Sequence, residues 1–364
     1  MEFKTKILDR YIMKKFLVTF VIALLVAILL IIIFDVSEKI ENFVQHEVPL
    51  KSIIFDYYVN FIPYFVNMFS PLFVFITVIF FTSRMAANSE IIAMLSGGVS
   101  YHRLMVPYMA SALIIALLSL FLNLYVIPRS NASRVEFETK YTDQQYTKYS
   151  RNNVHYQIAP GQFVYVQTFS AYNNTAYKLT LETIENNKLV SKLSAESATW
   201  DSTYGGWHLR RYFIRNYTNG LEDQVKCGDV KDTVIALKLS DFYRNQKTVE
   251  TLTRPELEAL IETQNMRGDA NVMYALIEKN RRFTLPFSAF ILTIMAVALT
   301  SRKKRGGIGF NLALGIGLAF LYILFLRFSE MFVYTDTLPA AVAMWLPNFV
   351  YLIIAAILYK LAPK

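Results

Sequence analysis

The side chains best suited to acid–base or metal chemistry lie far apart in the sequence. The four histidines occupy separate segments, at His46, His102, His155 and His208. No glycine-rich loop ends in Gly-Lys-Ser or Gly-Lys-Thr, and neither a His-x-x-x-His pair nor a Gly-x-Ser-x-Gly turn occurs. Cys227 is the single cysteine and can form no disulfide within the chain. The sequence therefore predicts a protein that is not an enzyme and that binds no cofactor or metal itself.

One pair of charged residues interrupts an otherwise charge-free apolar stretch. Arg327 and Glu330 are three residues apart, so they can pair on one face of a helix. An ion-coupled carrier would need more ionisable residues in its membrane segments. A lone charge at mid-bilayer would cost about 3 kcal/mol. The pair is either an anchor near the membrane surface, where arginine can extend towards water, or part of a substrate site.

The segment Ser89 to Gly98 begins with polar residues, continues with apolar residues and ends with glycines, an order typical of a short helix. A serine before Glu90 can cap a helix and the glycines can end it, which predicts a short helix. Its apolar strip consists of Ile91, Ile92, Met94 and Leu95. An apolar strip of this kind must be buried against another surface. The helix either lies in the headgroup region of a membrane or inserts into a partner's groove and transmits the partner's motion.

Membrane helices must position these residues, because several stretches are long and apolar enough to cross a bilayer. A hydrocarbon core about 30 Å thick requires about 20 mostly apolar residues. A signal peptide is the rival for the first stretch, but that run is too long and no small-residue cleavage pattern follows. Pro63 and Pro71 predict a tilted or kinked second helix. The six stretches are Phe16–Phe34, Ile53–Thr82, Leu104–Ile127, Phe283–Thr300, Ile308–Tyr334 and Ala341–Leu361.

Positive charges in the short connections predict the orientation. If six helices alternate, one side receives the N-terminal lysines, Arg84, Arg103 and the cluster Arg302, Lys303, Lys304 and Arg305. Both termini are then cytoplasmic, and the large insert after the third stretch is exported. The formal net charge of +9 is partly this topological signal, so it does not indicate nucleic-acid binding.

The exported insert has the pattern of short strands separated by turns. Tyr177, Leu179 and Leu181 alternate with other residues and are predicted to share one face of a strand. Thr253 followed by Glu256 predicts a capped helix that ends near Gly268. The predicted extended runs are Val154–Phe169, broken at Pro160-Gly161, then Ala176–Ile184, Leu189–Trp200 and Trp207–Tyr217.

These elements predict an α-helical membrane protein with six transmembrane helices, three plus three, around an inserted all-β domain with a sandwich or jellyroll-like sheet, which is periplasmic in a Gram-negative host. The first transmembrane half spans 1–127, with the candidate cytoplasmic coupling helix near 89–97. The β domain spans 128–252, a helical connector spans 253–282, and the second transmembrane half spans 283–364.

Residues spread over the whole chain resemble the LptF/LptG (YjgP/YjgQ) permeases of the lipopolysaccharide export ABC transporter. The opening Leu-Asp-Arg-Tyr is more similar to the LptG branch. The matching residues are Leu8-Asp9-Arg10-Tyr11-Ile12, Pro63 and Pro71, Ser89-Glu90 to Gly97-Gly98, Arg281-Arg282 with Pro286, and Leu338-Pro339 to Trp345-Leu346-Pro347-Asn348.

The resemblance implies a permease subunit in the bacterial inner membrane, among inner-membrane lipids. It would pair with a paralogous permease and a dimer of cytoplasmic ABC ATPase subunits, which use ATP and Mg. The complex would extract lipopolysaccharide and pass it to a periplasmic jellyroll bridge protein towards the outer membrane. The alternative is a membrane-anchored envelope scaffold whose β domain recruits periplasmic proteins without transporting lipid.

The resemblance also implies roles for individual residues. In the docking helix, Glu90 would make a polar contact with the ATPase, and Ile91, Met94 and Leu95 would fill its groove. Candidate contacts to lipid phosphates are Lys39, Lys279, Arg281 and Arg282, although a structural ion pair is an alternative for Arg282. Phe320, Phe325 and Phe328 are a candidate wall for acyl chains, with ordinary lipid or a neighbouring helix as the alternative contact. Asp35 ends a stretch where some members place a lysine, so no phosphate contact is carried over there.

Overall fold

The computed structural model describes residues 7–141, 150–218, 221–243, 246–269, 271–301 and 307–362. The chain divides into two compact units. The membrane unit comprises Met1–Arg134, Glu250–Arg254 and Leu276–Lys364, and the strand unit comprises Val135–Val249 and Pro255–Ala275. The domain boundaries given by the sequence patterns stay predictions.

Six of the described helices are long and apolar enough to cross a bilayer, which confirms the six predicted stretches. The described helices are α1 (Ile7–Gln45), α2 (Leu50–Ala87), α3 (Glu90–Ser96), α4 (Tyr101–Tyr141), α5 (Leu239–Tyr243), α6 (Gln246–Val249), α7 (Arg254–Arg267), α8 (Val272–Thr300), α9 (Gly307–Tyr334) and α10 (Ala340–Leu361). The six that are long and apolar enough to cross a bilayer are α1, α2, α4, α8, α9 and α10.

Helix α2 lies at the centre of the membrane unit, in contact with α1, α4 and α9. The core around it contains large side chains with almost no exposed surface, including Phe75, Ile79, Tyr108 and Tyr322. Gly315 on α9 lies against Ile79 on α2, and a Cβ atom there would require Cδ1 of Ile79 to move. Small residues permit this close packing between membrane helices, where dispersion contacts drive association.

Buried polar side chains in the membrane unit hydrogen-bond across helices. Asn67 Nδ2 on α2 donates to Asn123 Oδ1 on α4 at 2.9 Å. Asn348 on α10 accepts from the Tyr322 hydroxyl on α9 at 2.8 Å and donates to the Thr284 carbonyl on α8 at 2.9 Å. In an apolar environment these bonds satisfy groups that would otherwise be costly to bury. These bonds involve five of the six long helices, all except α1.

In the described residues, the strand unit contains one antiparallel sheet of six strands in the consecutive order β1 to β6. The fold class of helical membrane body with an inserted β unit is confirmed. The sheet is an up-and-down meander, without the crossed connections of a Greek key. Its strands are β1 (Ser150–Ala159), β2 (Gln162–Ser170), β3 (Thr175–Glu185), β4 (Lys188–Asp201), β5 (Gly206–Thr218) and β6 (Leu221–Thr233).

A crease runs across the whole sheet, along one row of residues. Three of these residues, on alternate strands, have left-handed φ angles: 54° at Asn153, 50° at Lys178 and 48° at Arg211. A left-handed residue is not extended, so it bends its strand and shifts the alternation of faces. The pairing between strands is interrupted along the row formed by Asn153, Gln167, Lys178, Glu196, Arg211 and Asp229.

The crease corrects the predicted face of β3. Leu179 has no exposed surface and Leu181 packs against the same core, but Tyr177 is 40% exposed and lies on the opposite face. Lys178 causes the difference, because its left-handed backbone replaces one step of the period-two alternation. Inward residues on either side of the crease are therefore three apart, as Ala176 and Leu179 are.

The inner face of the sheet is covered by the chain that follows β6. Trp207 has no exposed surface, and its indole nitrogen donates to the Leu237 carbonyl at 2.9 Å. The ring of Phe242 on α5 stacks on Phe169, with 4.1 Å between the centroids. The predicted helix after Thr253 is confirmed as α7, which ends before Gly268 at a φ of +62°.

Replacing Lys178 with valine should destabilise the strand unit. A β-branched side chain at a left-handed position costs roughly 1–2 kcal/mol, whereas glycine adopts this conformation freely. Urea unfolding of the full chain in detergent, followed by far-ultraviolet circular dichroism, should show an earlier transition for Lys178→Val than for Lys178→Gly. Thr180→Val, two residues along the same strand, is the control and should change little. Equal loss in the valine and glycine variants would contradict the crease.

A histidine between two aspartates joins the ends of three strands. His208 Nε2 lies 3.0 Å from Asp201 Oδ2, and His208 Nδ1 also contacts Asp232 Oδ1. Hydrogen bonds to Asp201 and then Asp232 raise the pKa of His208. The hydrogen bond from His208, followed by those from Thr203, lowers the pKa of Asp201 to about 2. His208 is therefore protonated, and ion-paired with Asp201, up to a higher pH than an ordinary histidine.

The contribution of His208 to stability should fall as the pH rises. Because its pKa is raised on folding, the stabilisation is complete below the unfolded pKa of about 6.5 and is lost as the pH rises through the native pKa. The midpoint of thermal unfolding should differ more between the native protein and His208→Gln at about pH 6 than at about pH 9. A difference that stays constant or grows with pH would rule out a charged His208.

Candidate functional site

The short helix α3 connects α2 to α4, as the segment Ser89 to Gly98 predicts. It spans Glu90–Ser96 and ends at Gly97, after which Gly98 has a φ of +88°. The predicted cap is wrong in one respect, because the Ser89 side chain makes no capping hydrogen bond. Its φ is 60°, in the left-handed region, whereas a capping serine uses an extended backbone.

The apolar strip of α3 is covered largely by its own chain. Ile91 has no exposed surface, and Met94 and Leu95 are half-buried against the same core. Ile91 therefore faces the core of its own chain in this conformation, and its role in a partner's groove stays a prediction. Ile92 is 46% exposed and is the apolar side chain that α3 presents outwards.

Glu90 links α3 to the start of α1. Its Oε2 accepts from the Tyr11 hydroxyl at 2.8 Å and lies 3.1 Å from Lys15 Nζ. Burial acts to raise the pKa of Glu90, but the hydrogen bonds from Tyr11, Lys15 and Asn88 outweigh it, so the pKa lies below its ordinary value. The carboxylate is therefore charged at neutral pH and retains 26% side-chain exposure for a further contact.

Arg281 and Arg282 on α8 form a buried network with two glutamates. Arg281 Nη2 lies 2.6 Å from Glu250 Oε1 and 2.6 Å from Glu278 Oε2. Arg282 Nε lies 2.9 Å from Glu278 Oε1, and its Nη2 donates to the Leu252 carbonyl at 2.8 Å. These arginines are therefore ion-paired within the chain, in agreement with the structural alternative for Arg282.

The two predicted lysines differ in their surroundings. Lys39 pairs with Asp35 at 2.9 Å and contacts the hydroxyl of Tyr57, with 16% of its side chain exposed. Asp35 also accepts from Tyr58 at 3.1 Å. Lys279, by contrast, is exposed on α8. Among the described residues, Lys279 has no carboxylate partner. It therefore differs from the other three predicted phosphate contacts, which pair with carboxylates of the same chain.

Two of the three predicted wall residues lie on an open face of α9. Phe320 is 57% exposed and Phe328 is 65% exposed, but Phe325 packs against the core. Only 22% of the most apolar stretch of α9 is buried, and 17% of that of α1, compared with 67% for α8. Helices α1 and α9 thus leave the largest apolar faces uncovered.

A small cavity of about 50 Å³ lies beside the arginine network. Its wall includes Arg281, Glu250 and the pair Arg327–Glu330, whose Nη1 and Oε2 atoms are 3.1 Å apart. The predicted pairing on one helix face is confirmed. Asn131 also lines the cavity, is fully buried, and has no hydrogen-bond partner for its amide among the described residues. A polar cavity of this size has room for roughly three water molecules.

Sequence patterns did not single out the acidic half of this network. Glu278 precedes Arg281 and Arg282 by three and four residues, a spacing that favours pairs on one helix face. Glu250 lies 31 residues from Arg281, so only the folded chain reveals their contact. Among the described residues, no group of three or more His, Cys, Asp or Glu side chains could hold a metal ion.

The sequence matches one family over nearly all of its length. The profile described as Lipopolysaccharide export system permease LptF/LptG matches residues 10–361. The chain belongs to the LptF/LptG family. It is accordingly a multi-pass inner-membrane permease component of the lipopolysaccharide export system. No curated protein sequence matches the chain significantly. The family profile covers both branches, so the preference for LptG over LptF stays a prediction.

Breaking the bond between Glu90 and α1 should loosen α3 with little effect on global stability. An exposed ion pair contributes about 0.2–1 kcal/mol, so the thermal midpoint of Lys15→Met should stay close to that of the native protein. Hydrogen exchange should nevertheless become faster at the amides of Glu90–Ser96. Asp9→Asn is the control, because Asp9 pairs with Arg103 on α4 at 2.6 Å. Because the Tyr11 hydroxyl still donates to Glu90 in Lys15→Met, unchanged exchange in the double variant Tyr11→Phe/Lys15→Met would contradict the link.

Proposed function

We propose that this LptF/LptG permease is half of an ATP-driven transporter that extracts lipopolysaccharide from the inner membrane. The other half is a paralogous permease, and a dimer of cytoplasmic ABC ATPase subunits binds the ATP and Mg. The family match over residues 10–361 carries this proposal. The uncovered faces of α1 and α9 support it, since a partner permease and the lipid need apolar surface on the permease.

Helix α3 is the proposed docking site for the ATPase. It is short, it presents Ile92, and Glu90 fixes it to α1. Motion of the ATPase would therefore reach α1, one of the two helices with the most uncovered apolar surface. Met94 and Leu95 contribute the exposed parts of their side chains, and Glu90 contributes its remaining hydrogen-bonding capacity.

The proposed orientation places both termini in the cytoplasm and the strand unit in the periplasm. Arg84 and Arg103 flank α3, and the positive-inside rule assigns their side to the cytoplasm. The predicted cluster Arg302 to Arg305 lies outside the described residues. Because the strand unit follows an odd number of spans, it lies on the opposite side of the membrane from α3.

The strand unit is the proposed start of the periplasmic bridge. A consecutive strand order leaves β1 and β6 as the two edges of the sheet. We assign β6 as the edge that pairs with a jellyroll bridge protein by strand addition, since Val225 and Val230 on it are 54% and 65% exposed.

The proposed lipid site combines a cation with an apolar wall. Lys279 would contact a lipid phosphate, because its ammonium is exposed and strong phosphate contacts are made by cations without another partner. Phe320 and Phe328 would contact acyl chains from the open face of α9. Lys39, Arg281 and Arg282 are committed to carboxylates within the chain and are weaker candidates.

Affinity purification of the tagged chain in mild detergent tests this function. Mass spectrometry should identify an ABC ATPase, a second six-span permease and lipopolysaccharide. Ile92→Arg should lose the ATPase and keep the second permease, because a charge on α3 opposes docking in an apolar groove. Tyr172→Arg, an 87% exposed position of the strand unit, is the control. Envelope proteins without an ATPase would favour the scaffold, and an ATPase that survives Ile92→Arg would exclude docking through α3.

A further inference from the structure

Five residues in the middle of the strand unit's sequence belong to the membrane unit. Glu250–Arg254 belongs to the membrane unit, whereas Val249 before it and Pro255 after it belong to the strand unit. We call Glu250–Arg254 the return segment. It is attached covalently at both ends to the strand unit, so whatever holds it in place also fixes two points of that unit's chain.

Side chains from two membrane helices hold the return segment. Arg281 on α8 pairs with the Glu250 carboxylate, and Arg282 donates to the carbonyl of Leu252. Glu278 accepts from both arginines and aligns them on one face of α8. The hydroxyl of Tyr64 on α2 lies 3.4 Å from Glu250. The segment is therefore held through a side chain and through its own backbone.

The charges of Arg281 and Arg282 are matched by those of Glu250 and Glu278. Two guanidinium groups face two carboxylates, and the exposed fractions are 14% and 3% for the arginine side chains and 5% and 9% for Glu250 and Glu278. Buried ion pairs contribute little net stability, but removing one partner leaves a charge in an apolar environment. Such a network is suited to holding one arrangement rather than to binding and releasing a ligand.

We propose that Arg281 and Arg282 are positioning residues that anchor the return segment to α8. Resting on the proposed transport function, the anchor passes a movement of α8 to the strand unit through the chain at Glu250–Arg254. In this role the arginines do not bind the lipid phosphate, which remains with Lys279. The anchor couples the membrane cycle to the transfer step in the strand unit.

Hydrogen exchange on the full chain in detergent tests the anchor directly. Arg281→Gln, Arg282→Gln and Glu250→Gln should each raise the exchange rates of the return-segment amides by about tenfold or more, because the local opening becomes easier. Lys279→Gln, which removes a cation from the same helix, is the matched control and should leave these rates unchanged. If an arginine variant fails to fold, Glu250→Gln decides, since it preserves the size of the side chain.

Measurement of lipopolysaccharide transfer by the purified transporter complex in proteoliposomes distinguishes an anchoring role of the two arginines from a role in lipid binding. Glu250→Gln should keep ATP hydrolysis and lipopolysaccharide binding but lose most of the transfer to a periplasmic acceptor. Lys279→Gln should weaken lipopolysaccharide binding. If the arginines bound phosphate, removing the negative charge of Glu250 would leave binding and transfer intact or improved, which would overturn the anchor.

The two experiments fail independently. Unchanged exchange of the return segment in Glu250→Gln would overturn the anchor, whatever transport is observed. Absence of lipopolysaccharide transfer by the native complex would overturn the proposed function, while faster exchange in the variants would still support the attachment to α8.

Discussion

Two arginines on α8 carry charge into the apolar interior of the membrane unit, and much of the nearby structure follows from the need to neutralise it. An isolated charge in low dielectric is too costly to keep, so carboxylates must approach it. Glu278 is supplied by α8 itself, but Glu250 must come from a distant part of the chain. The chain therefore returns to the membrane unit at this point, and the return divides the strand unit's sequence into two pieces.

A second ion pair of the membrane unit, between Lys15 and Glu90, is partly exposed to solvent. Glu90 contacts Tyr11 and Lys15 while part of its side chain remains exposed. Water screens this contact, so it adds little stability. The network around Arg281 and Arg282 is shielded from water, so removing one of its charges is costly.

Patterns with a fixed period were readable from the sequence, and contacts between distant residues were not. Apolar length predicts the six long helices, and turn residues predict β1 to β5. Strand β6 is not predicted from the sequence, because its charged residues obscure the alternation of apolar and polar positions. Tyr177 is assigned to the wrong face because Lys178 adopts a left-handed φ of 50°. Burial of Ile91 and pairing of Glu250 arise only when helices pack, since nothing local in the sequence specifies either contact.

A double-mutant cycle between Arg281 and Glu250 tests most directly whether the stability of the membrane unit depends on the pairing of its buried charges. Arg281→Met and Glu250→Met each leave the network with one charge in excess and should each destabilise the protein by about 3–5 kcal/mol. The double variant leaves Glu278 paired with Arg282, which lies 2.9 Å away, and should lose less than the sum of the single variants. We expect a favourable coupling of about 1–3 kcal/mol; losses that add to within about 0.5 kcal/mol would contradict the dependence of each charge on the other.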